Sequence, residues 1–213
     1  MFKYHTVPVT AYMQNCSIVW CDQTMSGAVI DPGGGLEQLV AVAQRLGVKV
    51  EQVWITHGHV DHAAGAAALA RMLDIPVYGP QEADLFLLKA LDEDAKTMHG
   101  FEYAESFVPT RWLADGDILA LGHEKVDVRH CPGHTPGHVV FYCANAKRAF
   151  VGDVLFAGTI GRTDFPGGDH EQLIASIVNK LWPMGDDTVF IPGHGPESFF
   201  GHERRLNPYV AGT

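Results

Sequence analysis

The sequence is poor in several things at once. No apolar run approaches the roughly 20 residues needed to span a bilayer, so no transmembrane helix is expected. Charged residues make up only 19% of the 213, and Lys and Arg number 15 against 25 Asp and Glu. The net charge of −10 argues against a nucleic-acid partner, because phosphate recognition draws on surplus Lys and Arg. There are four cysteines, Cys16, Cys21, Cys131 and Cys143, and no Cys-x-x-Cys pair. They read as free thiols of a reducing compartment. The start, Met1-Phe2-Lys3-Tyr4-His5, has no basic patch followed by an apolar stretch, so no signal peptide is expected and the cytoplasm is the expected location.

What is abundant is apolar surface, glycine and histidine: 46% hydrophobic residues, 23 glycines and 12 histidines. The length suits one globular domain over residues 1–213 better than two small ones. Strands are expected at 7–10, 17–20 and 28–30, followed by the breaker Asp31-Pro32-Gly33-Gly34-Gly35. Leu36, Leu39, Val40, Ala43 and Leu46 recur at helical spacing before Gly47. A strand at 50–56 and a helix at 63–73 follow, then helix at 82–91 and an acidic loop or short helix at 92–105. Asp115-Gly116-Asp117 reads as a hairpin turn, with strands at 118–121, 125–130, 139–143 and 149–151. Asp169 and Gln172 resemble a capping box ahead of the apolar face Leu173, Ile174, Ile177, Val178 and Leu181, and a strand at 188–191 closes the series. Two β-rich halves, each with helices, predict an α+β fold of two sheets packed face to face with helices outside.

Four places put His or Asp just after an expected strand, where loops gather functional groups. The densest is Thr56-His57-Gly58-His59-Val60-Asp61-His62, an HxHxDH string that composition alone would rarely produce. Residues two apart at a strand end point the same way, so His57 and His59 can grip one ion. Asp61 and His62, where the chain turns into the helix, can face a second. His134 sits between two Pro-Gly pairs in Cys131-Pro132-Gly133-His134-Thr135-Pro136-Gly137-His138, a rigid turn suited to holding a ring. Asp153 ends Phe150-Val151-Gly152-Asp153, and a carboxylate can bridge two cations. His194 lies in Pro192-Gly193-His194-Gly195. Imidazoles and carboxylates without a thiolate suit catalytic zinc, iron or manganese rather than a structural zinc. His138 reads as a residue orienting the loop or covering the site. His5, His99, His123, His130, His170 and His202 have no ligand spacing.

These residues resemble the metallo-β-lactamase superfamily over nearly the whole chain. The resemblance implies the αββα four-layer sandwich, with one metal on His57, His59 and His134, another on Asp61, His62 and His194, and Asp153 bridging them. Within the superfamily the sequence is most similar to the glyoxalase II group, the hydroxyacylglutathione hydrolases, in their short bacterial form. Asp31-Pro32-Gly33-Gly34, Pro132 to His138 and Gly161-Arg162-Thr163-Asp164 carry that likeness. Full-length glyoxalase II has a C-terminal helical domain with basic residues for glutathione; here only Glu203-Arg204-Arg205 follows His194 in that role.

The resemblance implies two divalent ions, zinc first and iron or manganese otherwise, and a small thioester substrate, S-D-lactoylglutathione or another glutathione conjugate. The expected chemistry is attack by a metal-activated hydroxide on the thioester carbonyl, with Asp61 orienting it. A thiolate leaves readily, so no general acid is required. Arg162 is the candidate contact for a substrate carboxylate, the competing role being a salt bridge to Asp164 or Asp153. The alternative reading is a mononuclear iron persulfide dioxygenase acting on glutathione persulfide, which shares the Gly-Arg-Thr-Asp stretch. A β-lactamase or lactonase is a third reading.

Overall fold

Strand pairing divides the chain into two mixed sheets, and the computed structural model describes residues 1–213 throughout. The first sheet runs in order through β1 (Phe2–Val9), β2 (Gln14–Cys21), β3 (Ser26–Ile30), β4 (Lys49–Trp54) and β5 (Val77–Tyr78). Its first three strands are antiparallel and β3, β4 and β5 are parallel. The parallel steps need crossovers, supplied by the helices α1 (Leu36–Leu46), α2 (Val60–Ala63) and α3 (Ala66–Leu73). The second sheet contains β6 (Ile118–Leu121), β7 (Glu124–His130), β8 (Val139–Cys143), β9 (Arg148–Gly152), β12 (Val189–Pro192) and β13 (Ser198–Phe199), in the spatial order β13-β12-β9-β8-β7-β6. A separate hairpin, β10 (Leu155–Phe156) with β11 (Thr159–Ile160), follows β9.

The layers follow from which faces are apolar. Val19, Ile30 and Trp54 of the first sheet meet Val128, Phe141, Phe150 and Ile191 of the second in one buried cluster. The Trp54 and Phe141 rings lie 5.3 Å apart and are both fully buried. Burying a side chain of this size stabilises by about 1.5–3 kcal/mol. The outer face of the first sheet packs Val29 and Val53 against Leu39 of α1, Leu69 of α3, and Leu88 and Leu91 of α4 (Leu85–Thr97). The outer face of the second packs Val140 and Phe190 against Leu173 of α5 (His170–Ser176) and Phe200 of α6 (Phe200–Leu206). This is the expected αββα sandwich.

The differences from expectation have local causes. The helix expected at 63–73 begins at Val60 and breaks at Gly65, whose N–H donates to the Pro32 carbonyl at 2.9 Å. An added Cβ at Gly65 would come within 2.4 Å of that carbonyl oxygen. The segment 92–97, expected as the start of a loop or short helix, continues α4, because its acidic residues form the solvent face of a helix anchored by Leu87, Leu88 and Leu91. The turn at Asp115-Gly116-Asp117 leads into β6, whereas the β6–β7 reversal is at Gly122, with φ +59°. At α5, the Gln172 N–H donates to Asp169 Oδ1 at 3.0 Å, but the Gln172 amide bonds the same carboxylate. The Asp169 N–H goes instead to the Gly133 carbonyl at 2.8 Å, so the cap tethers the His134 loop. The strands β5, β10, β11 and β13 and helix α6 had no sequence expectation.

All four cysteines are buried and unpaired. Burial pushes the Cys16 and Cys131 thiols well up from their ordinary range. Burial would raise the Cys21 thiol too, but hydrogen bonds at His123, Gln23 and Thr24 draw it down. Cys21 and Cys143 are equally closed to solvent, so a disulfide-forming thiol reagent should find no fast-reacting group in the native protein and four after denaturation. One thiol titrating at the rate of a free cysteine before unfolding contradicts this burial.

Candidate metal centre

The strand ends of both sheets meet along one edge, and the expected residues sit there. The chain leaves β4 at Trp54 and passes through Thr56, His57 and His59 into α2, whose first turn carries Asp61 and His62. His134 belongs to the loop between β7 and β8, Asp153 follows β9, and His194 follows β12. The first sheet is locked to the second here. The Asn15 N–H donates to the Gly193 carbonyl at 2.7 Å, and the Asn15 amide donates to the Pro192 and Gly195 carbonyls.

The seven expected residues converge as two groups. Nε2 of His57 and Nε2 of His134 lie 3.1 and 3.0 Å from Nδ1 of His59. Nitrogen ligands about 2.0–2.1 Å from a tetrahedral zinc are about 3.3 Å apart, so this spacing suits one ion. In the second group, Nε2 of His194 is 3.0 Å from Asp61 Oδ2, and Nε2 of His62 is 3.7 Å from the same oxygen. Asp153 stands between the groups. Its Oδ1 is 3.3 Å from His62 Nε2, and its Oδ2 is 3.7 Å from His134 Nε2 and 3.8 Å from His194 Nε2.

The outer nitrogens decide which way the lone pairs face. His134 Nδ1 is 2.7 Å from the Arg162 carbonyl and His194 Nδ1 is 3.1 Å from the Tyr12 carbonyl. Carbonyls only accept, so each ring carries its proton outward and aims a lone pair inward. His62 Nδ1 donates to Asp31 Oδ2 at 2.9 Å. The Thr56 hydroxyl donates to that same oxygen at 2.6 Å, leaving its own oxygen to accept from His57 Nδ1 at 3.0 Å. His62 Nε2 and Asp153 Oδ1 are buried with no hydrogen-bond partner, a pair of donor atoms suited to a cation. The residues therefore fit two divalent ions.

The titration of the cluster agrees. Burial would strip His62 of its proton, but Asp153, Asp61 and Asp31 reverse this and draw the ring to its charged form. Burial opposes ionisation of Asp153, and the neighbouring His62 outweighs it, holding the carboxyl well below the usual range. Burial and His134 lower His59 to about 4. The two carboxylates thus attract a positive charge that a metal supplies in place of the His62 proton.

Several participants were not legible as site residues. Asp31 is buried at φ +53°, a left-handed backbone that Asp adopts more readily than most residues. Besides His62 and the Thr56 hydroxyl, it accepts the Thr56 N–H at 2.7 Å, so one carboxylate orients rings of both groups. Its sequence signal, the Asp-Pro-Gly-Gly breaker, also fits a plain turn. His138 accepts the Asp153 N–H at 3.1 Å and stacks on His57 at 4.6 Å, the orienting part expected of it. Asp84 is fully buried between the two histidine loops, and burial pushes its carboxyl up to about 6. Of the remaining histidines, His130 holds the Pro136 carbonyl at 2.8 Å and the other five are exposed.

A cleft of about 990 Å³ opens above the cluster. Its walls include Tyr12, Val60, Leu87, Met98, Phe156 and Phe165, with Asp94 and Arg162 the charged residues outside the metal group. Arg162 is exposed, bonds both oxygens of Asp164 at 2.9 and 2.7 Å, and lies 4.4 Å over the Phe165 ring. Glu203, Arg204 and Arg205 do not line the cleft. Glu203 is buried and accepts from the Gly158 N–H and the Ser198 hydroxyl, fixing the β10–β11 turn, while both arginines point to Asp186.

Residues 9–194 match the family model of the metallo-beta-lactamase superfamily. The chain belongs to that superfamily. Hydroxyacylglutathione hydrolase GloC of Haemophilus influenzae is 44% identical over 205 residues, 96% of each chain, in keeping with the short glyoxalase II-like type. The superfamily member described here is also similar in structure to BLEG-1 B3 metallo-beta-lactamase, with TM-score 0.89 and 33% identity over 100% of both chains. TTHA1623, solved in a di-iron-bound form, gives TM-score 0.86 and 35% identity over 97% of this chain and 100% of that one. The chain is a metal-dependent hydrolase of this superfamily.

Replacing Asp31 by Ala leaves three buried donors, on Thr56 and His62, without an acceptor, at about 1–3 kcal/mol each. Both ions should bind roughly 10–100-fold more weakly, as for other residues that orient metal-bound rings. Metal content after dialysis checks this; retention of two tight ions would show that Asp31 does not orient the rings.

Proposed function

We propose that the protein is a hydroxyacylglutathione hydrolase, cleaving S-D-lactoylglutathione or a similar glutathione thioester with two divalent ions, zinc foremost and iron or manganese in its place. The observation that carries the reading is the double donor set, His57/His59/His134 and Asp61/His62/His194 with Asp153 standing between them, at the floor of a cleft near the upper end of small-molecule sites in size. The Haemophilus relative, alike over nearly its full length, supports the thioester. Four unpaired thiols fit a cytoplasmic setting.

The ions would supply a water of lowered pKa and stabilise charge on the carbonyl oxygen. Asp61 remains partly open to the cleft, and its backbone is fixed from below: an added Cβ on Gly33 would come within 1.6 Å of the Asp61 carbonyl oxygen. A fixed carboxylate there can accept a hydrogen bond from the attacking water and hold it in line with the substrate. The thiolate departs without a proton donor. Apolar walls from Val60, Leu87, Phe156 and Phe165 exclude water from the scissile bond, while Arg162 offers its remaining donors to a substrate carboxylate at the rim.

Purified protein loaded with two metal equivalents should hydrolyse S-D-lactoylglutathione, and Asp61→Ala should lower kcat at least about 100-fold. Turnover by the native protein no faster than by that variant removes the thioesterase reading. Oxygen uptake with glutathione persulfide at one iron per chain would replace it with the dioxygenase, and faster opening of a β-lactam than of the thioester with a lactamase.

A further inference from the structure

Asp84 ends a short 3-10 turn at residues 82–84 and stands at the head of α4, with no exposed surface. Its Oδ2 accepts the Gly58 N–H at 2.9 Å and the Thr135 hydroxyl at 2.8 Å, and its Oδ1 accepts the Gly137 N–H at 2.5 Å. Gly58 separates His57 from His59, Thr135 follows His134, and Gly137 precedes His138. These loops come from different sheets, and one carboxylate holds both. We propose that Asp84 is a positioning residue that sets the spacing of the His57/His59/His134 group by clasping its two loops.

The contact is built for close approach. A Cβ on Gly137 would lie 2.7 Å from Asp84 Cγ and 2.5 Å from the Gln81 carbonyl oxygen. One on Gly58 would lie 2.7 Å from Leu87 Cβ. The backbone bond from the Gln81 N–H to the Gly137 carbonyl, 2.9 Å, runs alongside the carboxylate contact. Three donors converge on the two oxygens, which an ionised carboxylate accepts fully. An amide in its place has one accepting oxygen, and its NH₂ would face an N–H or O–H. None of the three bonds goes to Asp61, His62 or His194, and the one link toward them runs indirectly from Gly137 through His138 to the Asp153 N–H, so the effect falls mainly on one ion. This separates Asp84 from Asp31, which reaches rings of both groups.

The inference rests on the two-ion reading, and a cobalt titration tests the two separately. Metal-free native protein should take up two Co(II), followed by equilibrium dialysis and by ligand-field absorption. Asp84→Asn should bind one Co(II) within about twofold of native affinity and the other at least tenfold more weakly, with the absorption of that ion altered. Thr135→Val, which removes one of the three donors, should weaken the same ion by less. Folded Asp84→Asn that binds both ions as the native protein does, or weakens both alike, overturns the clasp. If that variant does not fold, Thr135→Val decides by the same criterion: selective weakening supports the clasp and unchanged binding overturns it. Native protein that takes up fewer than two Co(II) overturns the two-ion reading itself.

Discussion

Seven side chains that aim lone pairs and negative charge at a common space repel one another wherever the His62 proton does not intervene, and the fold must hold them there before any ion arrives. That repulsion is the constraint on which the rest of the structure depends. Its solution is to occupy the far side of four of the five rings. His62 gives its outer proton to Asp31, His134 to the Arg162 carbonyl and His194 to the Tyr12 carbonyl, while His57 reaches Asp31 through the Thr56 hydroxyl. These contacts fix the tautomers and leave the inner nitrogens able to bind metal.

Such contacts need backbone that cannot drift, and the sandwich supplies it at one edge. Ring contacts between the sheets, Trp54 on Phe141 and Phe2 on Phe150, fix their relative placement below the site. At the edge itself the packing tolerates no side chain at certain glycines. A Cβ at Gly193 would lie 2.1 Å from Asp153 Oδ1 and 2.6 Å from the His62 ring. The backbone after β12 therefore approaches the Asp153 carboxylate directly, and the Asn15 contacts keep it there. Core packing and metal geometry are coupled through these few close approaches, so a strand shift of a fraction of an ångström reaches the ligands.

What could be read in the sequence follows from range. The HxHxDH string is legible because its four residues share one turn of chain, and α1 because its apolar period and Gly47 are local. His134, Asp153 and His194 become legible only in company, since each alone resembles an ordinary loop residue. Asp84 carried no signal: its three partners lie 26 to 53 positions away, and nothing in Gln81-Glu82-Ala83-Asp84 marks a buried carboxylate. The hairpin β10–β11 and helix α6 escaped for a different reason. Strands of two residues show no alternation, and α6 is held in part by the Glu203 and Asn207 hydrogen bonds to the hairpin rather than by a long apolar face.

The floor and walls of the cleft are made from different kinds of structure, and this difference bears on function. The floor comes from the ends of β4, β9 and β12 and the clasped loop before β8, all tied into sheets or to buried carboxylates. The walls come from the turn holding Tyr12, the last turn of α4 with Thr97 and Met98, the hairpin with Phe156 and the stretch from Arg162 to Pro166. Wall residues such as Ala157, Thr159 and Tyr12 are exposed, and their replacement leaves the floor's hydrogen bonds unbroken. One metal floor can then serve under different walls, and proteins similar to this chain include both a hydroxyacylglutathione hydrolase and a B3 metallo-beta-lactamase. Hydrolytic chemistry then lies with the floor, and the choice of substrate and scissile bond with the side chains of the walls.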